Sequence, residues 1–172
     1  MNRRFYSVAL AVSIVLSSAA PALAAAPKVL GTYQDWQSYL LLDGNRRVCY
    51  MASAPQKKEP AAVKRGDVLL FVTHRPADKE QDVVNVHVGY TLNADRDVRV
   101  VIGDKSFDLF TKGETAWTRG ANEDKAMVQQ MMKGSALTVA GESDRGTKTV
   151  DTYSLKGFSA AYKDINKACG IK

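Results

Sequence analysis

The side chains best suited to acid–base chemistry in this sequence are its two histidines, His74 and His87. Histidine titrates near neutral pH, so either ring could act as a general base with a distant serine or carboxylate. The sequence contains no G-x-S-x-G nucleophile turn and no H-E-x-x-H zinc pair. A hydrolase built around His74 or His87 is therefore the alternative hypothesis, and no catalytic, cofactor-binding or metal-binding residue is predicted.

Basic side chains are the second group that could do chemistry, because they could bind phosphates of lipopolysaccharide or an anionic glycan. Several lie in the segment from Gln56 to Arg65, which we interpret as a long loop; a solvated surface loop without a ligand is the alternative. The candidates there are Lys57, Lys58, Lys64 and Arg65. Three further candidates for exposed contacts are Arg75, Trp117 and Arg119, with burial in the core as the alternative for Trp117. The basic residues are scattered without an aromatic and basic stripe, which argues against nucleic-acid binding.

Two cysteines, Cys49 and Cys169, are too few for a disulfide-dense miniprotein or a four-cysteine zinc site. There is no C-x-x-C motif to indicate redox catalysis. In an oxidising compartment the two are expected to form one structural disulfide, the alternative being a reactive or intermolecular thiol.

The N-terminal stretch has the features of a secretory signal peptide. Arg3 and Arg4 precede a short apolar core, and small residues end at a cleavage site between Ala24 and Ala25. We therefore predict a signal peptide over residues 1–24 and a single domain over residues 25–172. Losing the two arginines lowers the net charge from +6 to +4, and no later apolar run is long enough to span a membrane.

The elements that would position these side chains are mostly short strands. The 45% apolar and 24% charged composition is that of a globular protein. Apolar and aromatic runs predict strands over residues 35–42, 46–52, 67–73, 82–90, 98–102, 106–111, 136–140 and 147–155. Residues 67–73 are apolar throughout and are expected to be covered on both faces, whereas residues 82–90 alternate between an apolar and a polar face. Many short strands separated by turn residues predict a sandwich or barrel.

Two helices are predicted among the strands. The first begins after an N-cap at Asn122 and ends at Gly134, and its apolar face is formed by Met127, Val128, Met131 and Met132. That face is expected to be buried, with an adaptable binding surface as the alternative. The second runs from about Phe158 to Cys169, at the C-terminus.

Several segments together resemble the invasion-associated locus B family of exported alphaproteobacterial proteins. They are Tyr33-x-x-Trp36, Cys49-Tyr50-x-x-Ser53-x-Pro55, Val72-Thr73-x-Arg75-Pro76, and Thr147–Leu155 followed by Lys156-Gly157-Phe158-Ser159-Ala160-Ala161. The last is the most specific, and together they cover nearly the whole predicted mature chain.

The resemblance implies an immunoglobulin-like β-sandwich, here mainly β with one short internal helix and a C-terminal helix. It implies a periplasmic or secreted protein, with outer-membrane association left open, and a non-enzymatic binding or structural role linked to host-cell invasion or interaction. An envelope or host protein is the expected partner, with an anionic glycan or lipopolysaccharide as the alternative. Better-known members have further cysteines after the tryptophan and in mid-chain, so the disulfide pattern here must differ.

Overall fold

The computed structural model describes residues 26–171, so the predicted signal peptide and its cleavage site at Ala24 and Ala25 lie outside the described residues. The described part contains eleven strands, two α-helices and a 3₁₀ turn at Pro76–Asp78. The strands are β1 (Lys28–Tyr33), β2 (Trp36–Asp43), β3 (Arg46–Ser53), β4 (Lys57–Glu59), β5 (Leu69–Arg75), β6 (Glu80–His87), β7 (Val98–Ile102), β8 (Lys105–Lys112), β9 (Thr115–Trp117), β10 (Ala136–Glu142) and β11 (Lys148–Ser154). The helices are α1 (Ala121–Lys133) and α2 (Phe158–Cys169).

All strand pairs are antiparallel, in the order β1-β2-β3-β5-β6-β9-β8-β7-β10-β11-β4. The sheet folds back on itself, because elements far apart in this order meet. The indole Nε1 of Trp36, near one end of the order, donates a 3.0 Å hydrogen bond to the carbonyl of Ser154 near the other. The two halves thus enclose the core as in a β-sandwich.

Alternation along the strands decides which side chains fill this core. In β6 and just beyond it, Val84, Val86 and Val88 are buried, as the alternating pattern predicts. In β5 only one face is fully buried: Leu70 and Val72 are inaccessible, whereas Phe71 is half-buried. The prediction that residues 67–73 are covered on both faces is therefore wrong, because no second layer covers the outer face of this strand.

The first predicted helix is present but starts earlier than expected. Its N-cap is Gly120 and not Asn122, and no side chain caps it. Instead, the Glu123 carboxylate accepts a 2.7 Å hydrogen bond from the backbone N–H of Arg119. The acidic residues of the first turn therefore bond to groups outside the helix.

The apolar face of α1 is narrower than predicted. Met127, Val128 and Met131 are buried, but Met132 is 42% exposed. At 100° per residue, Met132 lies about 90° from the centre of the buried three, at the rim of the helix face. The prediction of a fully buried four-residue face is corrected accordingly.

Helix α2 spans the residues predicted for it, Phe158–Cys169, and packs on β1, β2 and β3. Phe158 meets the Trp36 ring edge-to-face with centroids 5.0 Å apart. The preceding Gly157 has φ +90°, and a Cβ there would lie 1.8 Å from the carbonyl oxygen of Tyr33. This close backbone approach explains the glycine of the C-terminal motif.

Three strands were not predicted: β1, β4 and β9. Two of them have only three residues, and the third contains Gly31. The segment predicted as one long loop, Gln56 to Arg65, in fact contains β4, which pairs with β11. The two three-residue strands β4 and β9 depend on pairing with strands distant in sequence, β11 and β6, and not on local propensity.

Candidate binding surface

The outer face of the central strands carries a group of aromatic side chains that no other layer formed by residues 26–171 covers. Tyr39 and Tyr50 are directly paired across β2 and β3, with rings nearly parallel and centroids 4.8 Å apart. Phe71 on β5 continues the group, 6.2 Å from the Tyr50 centroid. All three are half-buried, so part of each ring remains accessible.

The group extends across three further strands. Phe71 is paired with Asn85, Asn85 with Trp117, and Trp117 with Phe110, so the four positions form one row across β5, β6, β9 and β8. Phe110 is 37% exposed and Trp117 is half-buried. We name Tyr39, Tyr50, Phe71, Trp117 and Phe110 the aromatic face. It spans six strands, or about 24 Å at the usual strand spacing.

The aromatic face is uncharged, and charged groups flank it. The other side chains in its two rows include Gln37, Ala52 and Asn85. Ion pairs lie to one side, at Asp43–Arg46 and Arg75–Glu80, and the Glu114 carboxylate lies to the other, 3.4 Å from His87. An aromatic centre with a charged rim is the usual anatomy of a protein–protein interface.

A shallow cleft adjoins one end of the aromatic face. It has a volume of about 290 Å³ and is bordered by Val83, Phe110 and Trp117 together with Gly120 and Ala121 at the start of α1. The start of the helix and the sheet face are thus parts of one continuous surface.

Sequence reasoning found only Trp117 among these five aromatic residues as a contact candidate. The signal for the others was present in the alternate positions of β2, β3, β5 and β8, where aromatic residues occupy the face opposite the buried one. Their proximity depends on the strand order, which the sequence pattern does not reveal.

The basic candidates do not form one exposed patch. Lys57 is paired with Glu59 at 2.8 Å, while Lys58 and Lys64 are exposed. The Arg65 side chain is only 2% exposed and binds the Asp151 carboxylate through two hydrogen bonds of 2.9 and 2.5 Å. The prediction of Arg65 as a surface contact is wrong, because this guanidinium neutralises a buried carboxylate.

The other two arginine candidates are held in surface ion pairs. Arg75 Nη1 lies 3.0 Å from Glu80 Oε2, and Arg119 Nη2 lies 2.6 Å from Asp97 Oδ2. Both remain partly exposed, so contact with a partner stays a prediction.

His87 lies on the surface between two side chains. Its Nε2 is 3.4 Å from Glu114 Oε2, and its Nδ1 is 3.3 Å from Thr115 Oγ1 across β6 and β9. A polar cleft of about 340 Å³ borders Glu114, Ser143 and Thr147, but its lining does not include His87 or Thr115. The ring thus lies beside Glu114 at the edge of this cleft but does not line the cleft itself.

His74 is placed where it cannot reach a substrate. Its side chain is completely buried beneath α2, and its Nδ1 accepts a hydrogen bond from the backbone N–H of Asp82. Burial lowers the pKa of His74, while the Asp82 carboxylate and the Asn166 side chain oppose that shift. His74 therefore cannot serve as the general base of the hydrolase considered as the alternative.

The cysteine prediction is confirmed. Cys49 on β3 and Cys169 at the end of α2 form a disulfide across a sequence separation of 120 residues. Within residues 26–171, no cluster of three or more His, Cys, Asp or Glu side chains is arranged to hold a metal ion. Neither helix of this described part is long and apolar enough to cross a membrane.

Comparison with known proteins agrees with this architecture. The family model described as invasion associated locus B (IalB) protein matches residues 40–166. The chain belongs to the IalB family. The match includes β3, with its disulfide cysteine, and most of α2.

A crystal structure of invasion associated protein B from Bartonella henselae is similar to this chain, with a TM-score of 0.53 and 17% sequence identity. The alignment covers 84% of this chain and 98% of the Bartonella chain. At this identity the likeness shows the fold alone, and it confirms the predicted β-sandwich-like class. No curated protein sequence matches the chain.

Proposed function

We propose that this IalB-family chain is an exported, non-enzymatic binding protein whose aromatic face docks a protein of the cell envelope or of a host cell surface. Its place would be the periplasm or the cell exterior, with residues 25–172 as the mature domain. The aromatic face is the single observation that carries the binding role.

Two features support export. The disulfide closes a long loop between β3 and α2, and such bonds persist in oxidising compartments outside the cytoplasm. The N-terminal sequence has the charge, apolar core and small residues of a cleaved signal peptide.

The chemistry of the aromatic face favours a protein partner. Tyrosine and tryptophan combine a large apolar area with a polar group and are enriched among the residues that dominate binding energy at protein interfaces. The uncharged centre contains Gln37 and Asn85, which can bond to a partner's backbone. An anionic glycan would need cations in this centre, whereas the arginines at its rim, Arg46 and Arg75, are already paired with carboxylates.

Site-specific photocrosslinking in living cells tests the proposal. A photoreactive phenylalanine analogue replaces Phe71 or Trp117 in one set of cells. In the control set it replaces Val101 or Val150, which are 36% and 38% exposed on the other half of the sheet. After illumination, adducts are separated and their protein component is identified by mass spectrometry.

We expect both aromatic-face positions to give the same protein adduct and the control positions to give none. Unmodified protein should compete the adduct away, whereas a Tyr50→Thr/Phe71→Thr variant should not. An adduct of equal yield from the control positions, or no protein adduct from the aromatic face, would contradict the proposal. Crosslinks to glycan alone would assign the face to a different ligand class and would also overturn it.

A further inference from the structure

A buried polar cluster lies between α2 and the sheet, next to the disulfide. His74 on β5 is directly paired with Cys49, and Cys169 Sγ lies 3.9 Å from the His74 carbonyl oxygen. From α2, the Tyr162 hydroxyl donates a 2.7 Å hydrogen bond to Asp82 Oδ1 on β6. The Tyr162 ring stands edge-on to the imidazole, with centroids 5.7 Å apart.

The hydrogen bonds fix the protonation state of the imidazole. The Asp82 backbone N–H donates to His74 Nδ1 over 3.1 Å, so Nδ1 must carry a lone pair and the neutral ring must carry its proton on Nε2. Among the described residues, His74 Nε2 and the nearby Asn166 Oδ1 are both buried without a hydrogen-bond partner. A second proton on this ring would have to go to Nδ1, where the Asp82 N–H already donates, so it cannot be added without breaking that bond.

The backbone beside the ring is held in a strained conformation. Asp82 has φ +62°, in the left-handed region that side chains other than glycine rarely adopt. The pairing of β5 with β6 shifts register between Thr73 and Arg75, so the imidazole bonds to an amide where the regular ladder is interrupted. Loss of that bond would remove a restraint on Asp82.

A different arrangement is available to a protonated ring. Asp82 Oδ1 lies only 3.9 Å from His74 Nδ1, so an Nδ1–H group could donate to the carboxylate in place of accepting from the amide. That carboxylate oxygen is the one that binds the Tyr162 hydroxyl. The charged ring and the Tyr162 hydroxyl would then share this oxygen, so protonation would alter the hydrogen bond that holds α2.

We propose that this cluster is an acid-sensitive clasp, in which protonation of His74 breaks its bond to the Asp82 amide and loosens α2 while the disulfide keeps the helix tethered. The inference does not depend on the partner of the aromatic face, because it concerns only contacts between α2 and the sheet. Acidification would thus change the mobility of the helix without detaching it.

The direction of the pH effect follows from burial. The pKa of His74 in the folded protein lies below its ordinary value of 6.5, because burial disfavours the charged ring. The unfolded chain therefore takes up this proton first as the pH falls. The stabilising contribution of the neutral ring is complete above about pH 6.5 and is lost progressively as the pH falls toward the lower folded pKa.

Other titratable groups near the cluster also affect how stability changes with pH, some favouring the charged His74 ring and some stabilising the fold as the pH falls. Asp82 on β6 favours the charged ring, and burial raises the pKa of Tyr162 on α2 to about 12, so that hydroxyl stays protonated. Asp124 on α1, which is buried and lies within electrostatic reach of Asp82, has a pKa raised by burial. Its protonation stabilises the fold as the pH falls, so the histidine effect must be measured against a variant that retains Asp124.

The matched variant is His74→Asn in the disulfide-bonded, exported protein. The asparagine Oδ1 can accept from the Asp82 amide in the place of Nδ1 but cannot take up a proton. His87→Asn, which removes the exposed histidine, is the control. Hydrogen-exchange mass spectrometry gives protection factors for residues 158–169 and 80–84 between about pH 7.5 and pH 5.

In the wild type and in His87→Asn, we expect protection in both segments to fall by up to about tenfold per pH unit below pH 6.5, as one proton per molecule requires. In His74→Asn the decline should be absent. If the decline is equal in all three proteins, or absent from the wild type, the proposal is wrong.

A second measurement covers the case in which His74→Asn does not fold. Nuclear magnetic resonance titration of the wild-type imidazole should show protonation below the ordinary value, with a simultaneous loss of protection at the Asp82 amide. An imidazole that titrates at its ordinary value, or an Asp82 amide that stays protected after the ring is protonated, would overturn the proposal.

Discussion

The Arg65–Asp151 pair shows how position decides what a charged residue does. The two side chains are 2% and 1% exposed, and the guanidinium also lies 5.9 Å from the centre of the Tyr90 ring. Hydrogen bonding to Asp151 raises the pKa of Arg65, so the cation persists despite burial. The pair joins the segment after β4 to β11, and its role is to satisfy a buried charge.

Removal of one partner should therefore be costly. We expect Arg65→Met to lower the free energy of unfolding by about 3–5 kcal/mol, because the Asp151 carboxylate is left buried and unpaired. Urea denaturation at neutral pH measures this change. The double variant Arg65→Met/Asp151→Leu should recover part of the loss.

Arg99→Met is the matched control, since Arg99 makes the same two-bond contact with Asp108 but the side chains are 63% and 48% exposed. Its effect on the free energy of unfolding should be much smaller than that of Arg65→Met, because water screens an exposed ion pair. If Arg65→Met and Arg99→Met lower the free energy of unfolding equally, burial of the Arg65 pair does not increase its contribution to stability, which would contradict this prediction.

At the scale of elements, the start of α2 is fixed by a close approach between two backbone segments. Gly157 combines a left-handed φ of +90° with a Cβ position only 1.8 Å from the Tyr33 carbonyl oxygen. This contact holds the helix against the turn between β1 and β2, where Phe158 can pack on Trp36. The backbone of the Lys-Gly-Phe motif is thus part of the packing of α2.

Gly157→Ala should destabilise the protein by more than backbone strain alone predicts. Gly146→Ala is the control, because Gly146 has φ +79° but no atom lies within 4 Å of the position that a Cβ would take there. We expect the control to lower the free energy of unfolding by about 1–2 kcal/mol. Gly157→Ala should lower it by at least about 2 kcal/mol more, because the helix must move away from Tyr33. Thermal unfolding of both variants checks this order, and similar melting temperatures would contradict it.

Most regular elements could be predicted from periodicity, and the exceptions have physical reasons. The alternation in β6 and the apolar spacing of α2 predict these elements correctly, because each element packs one face against the core. The three-residue strands β4 and β9 have no such pattern and exist only through pairing with β11, β6 and β8. The N-cap of α1 was misplaced because its acidic residues bond outside the helix, to Arg119 and Val84.

At the scale of the whole molecule, the aromatic face follows from strand order. Tyr39 and Phe110 are 71 positions apart in the sequence, yet the order β2-β3-β5-β6-β9-β8 places them on one surface. The disulfide could be anticipated because only one internal pairing was available. The buried Arg65–Asp151 pair, by contrast, joins residues 86 positions apart with no local signal of contact.

Saturation binding to intact cells tests most directly whether the aromatic face is the binding surface. Fluorescently labelled wild-type protein is compared with Tyr50→Thr/Phe71→Thr on envelopes of the producing cells and on host cells. Threonine keeps the preference for a strand while removing both rings. The control, Val101→Thr/Val150→Thr, removes two partly exposed apolar side chains from the other half of the sheet.

With all three proteins folded to the same extent by circular dichroism, we expect saturable binding of the wild type and of the control. The aromatic-face variant should bind at least about tenfold more weakly, as the loss of two central aromatic contacts implies. Equal binding by the aromatic-face variant and the wild type, or no saturable binding of the wild type to either kind of cell, would contradict the account.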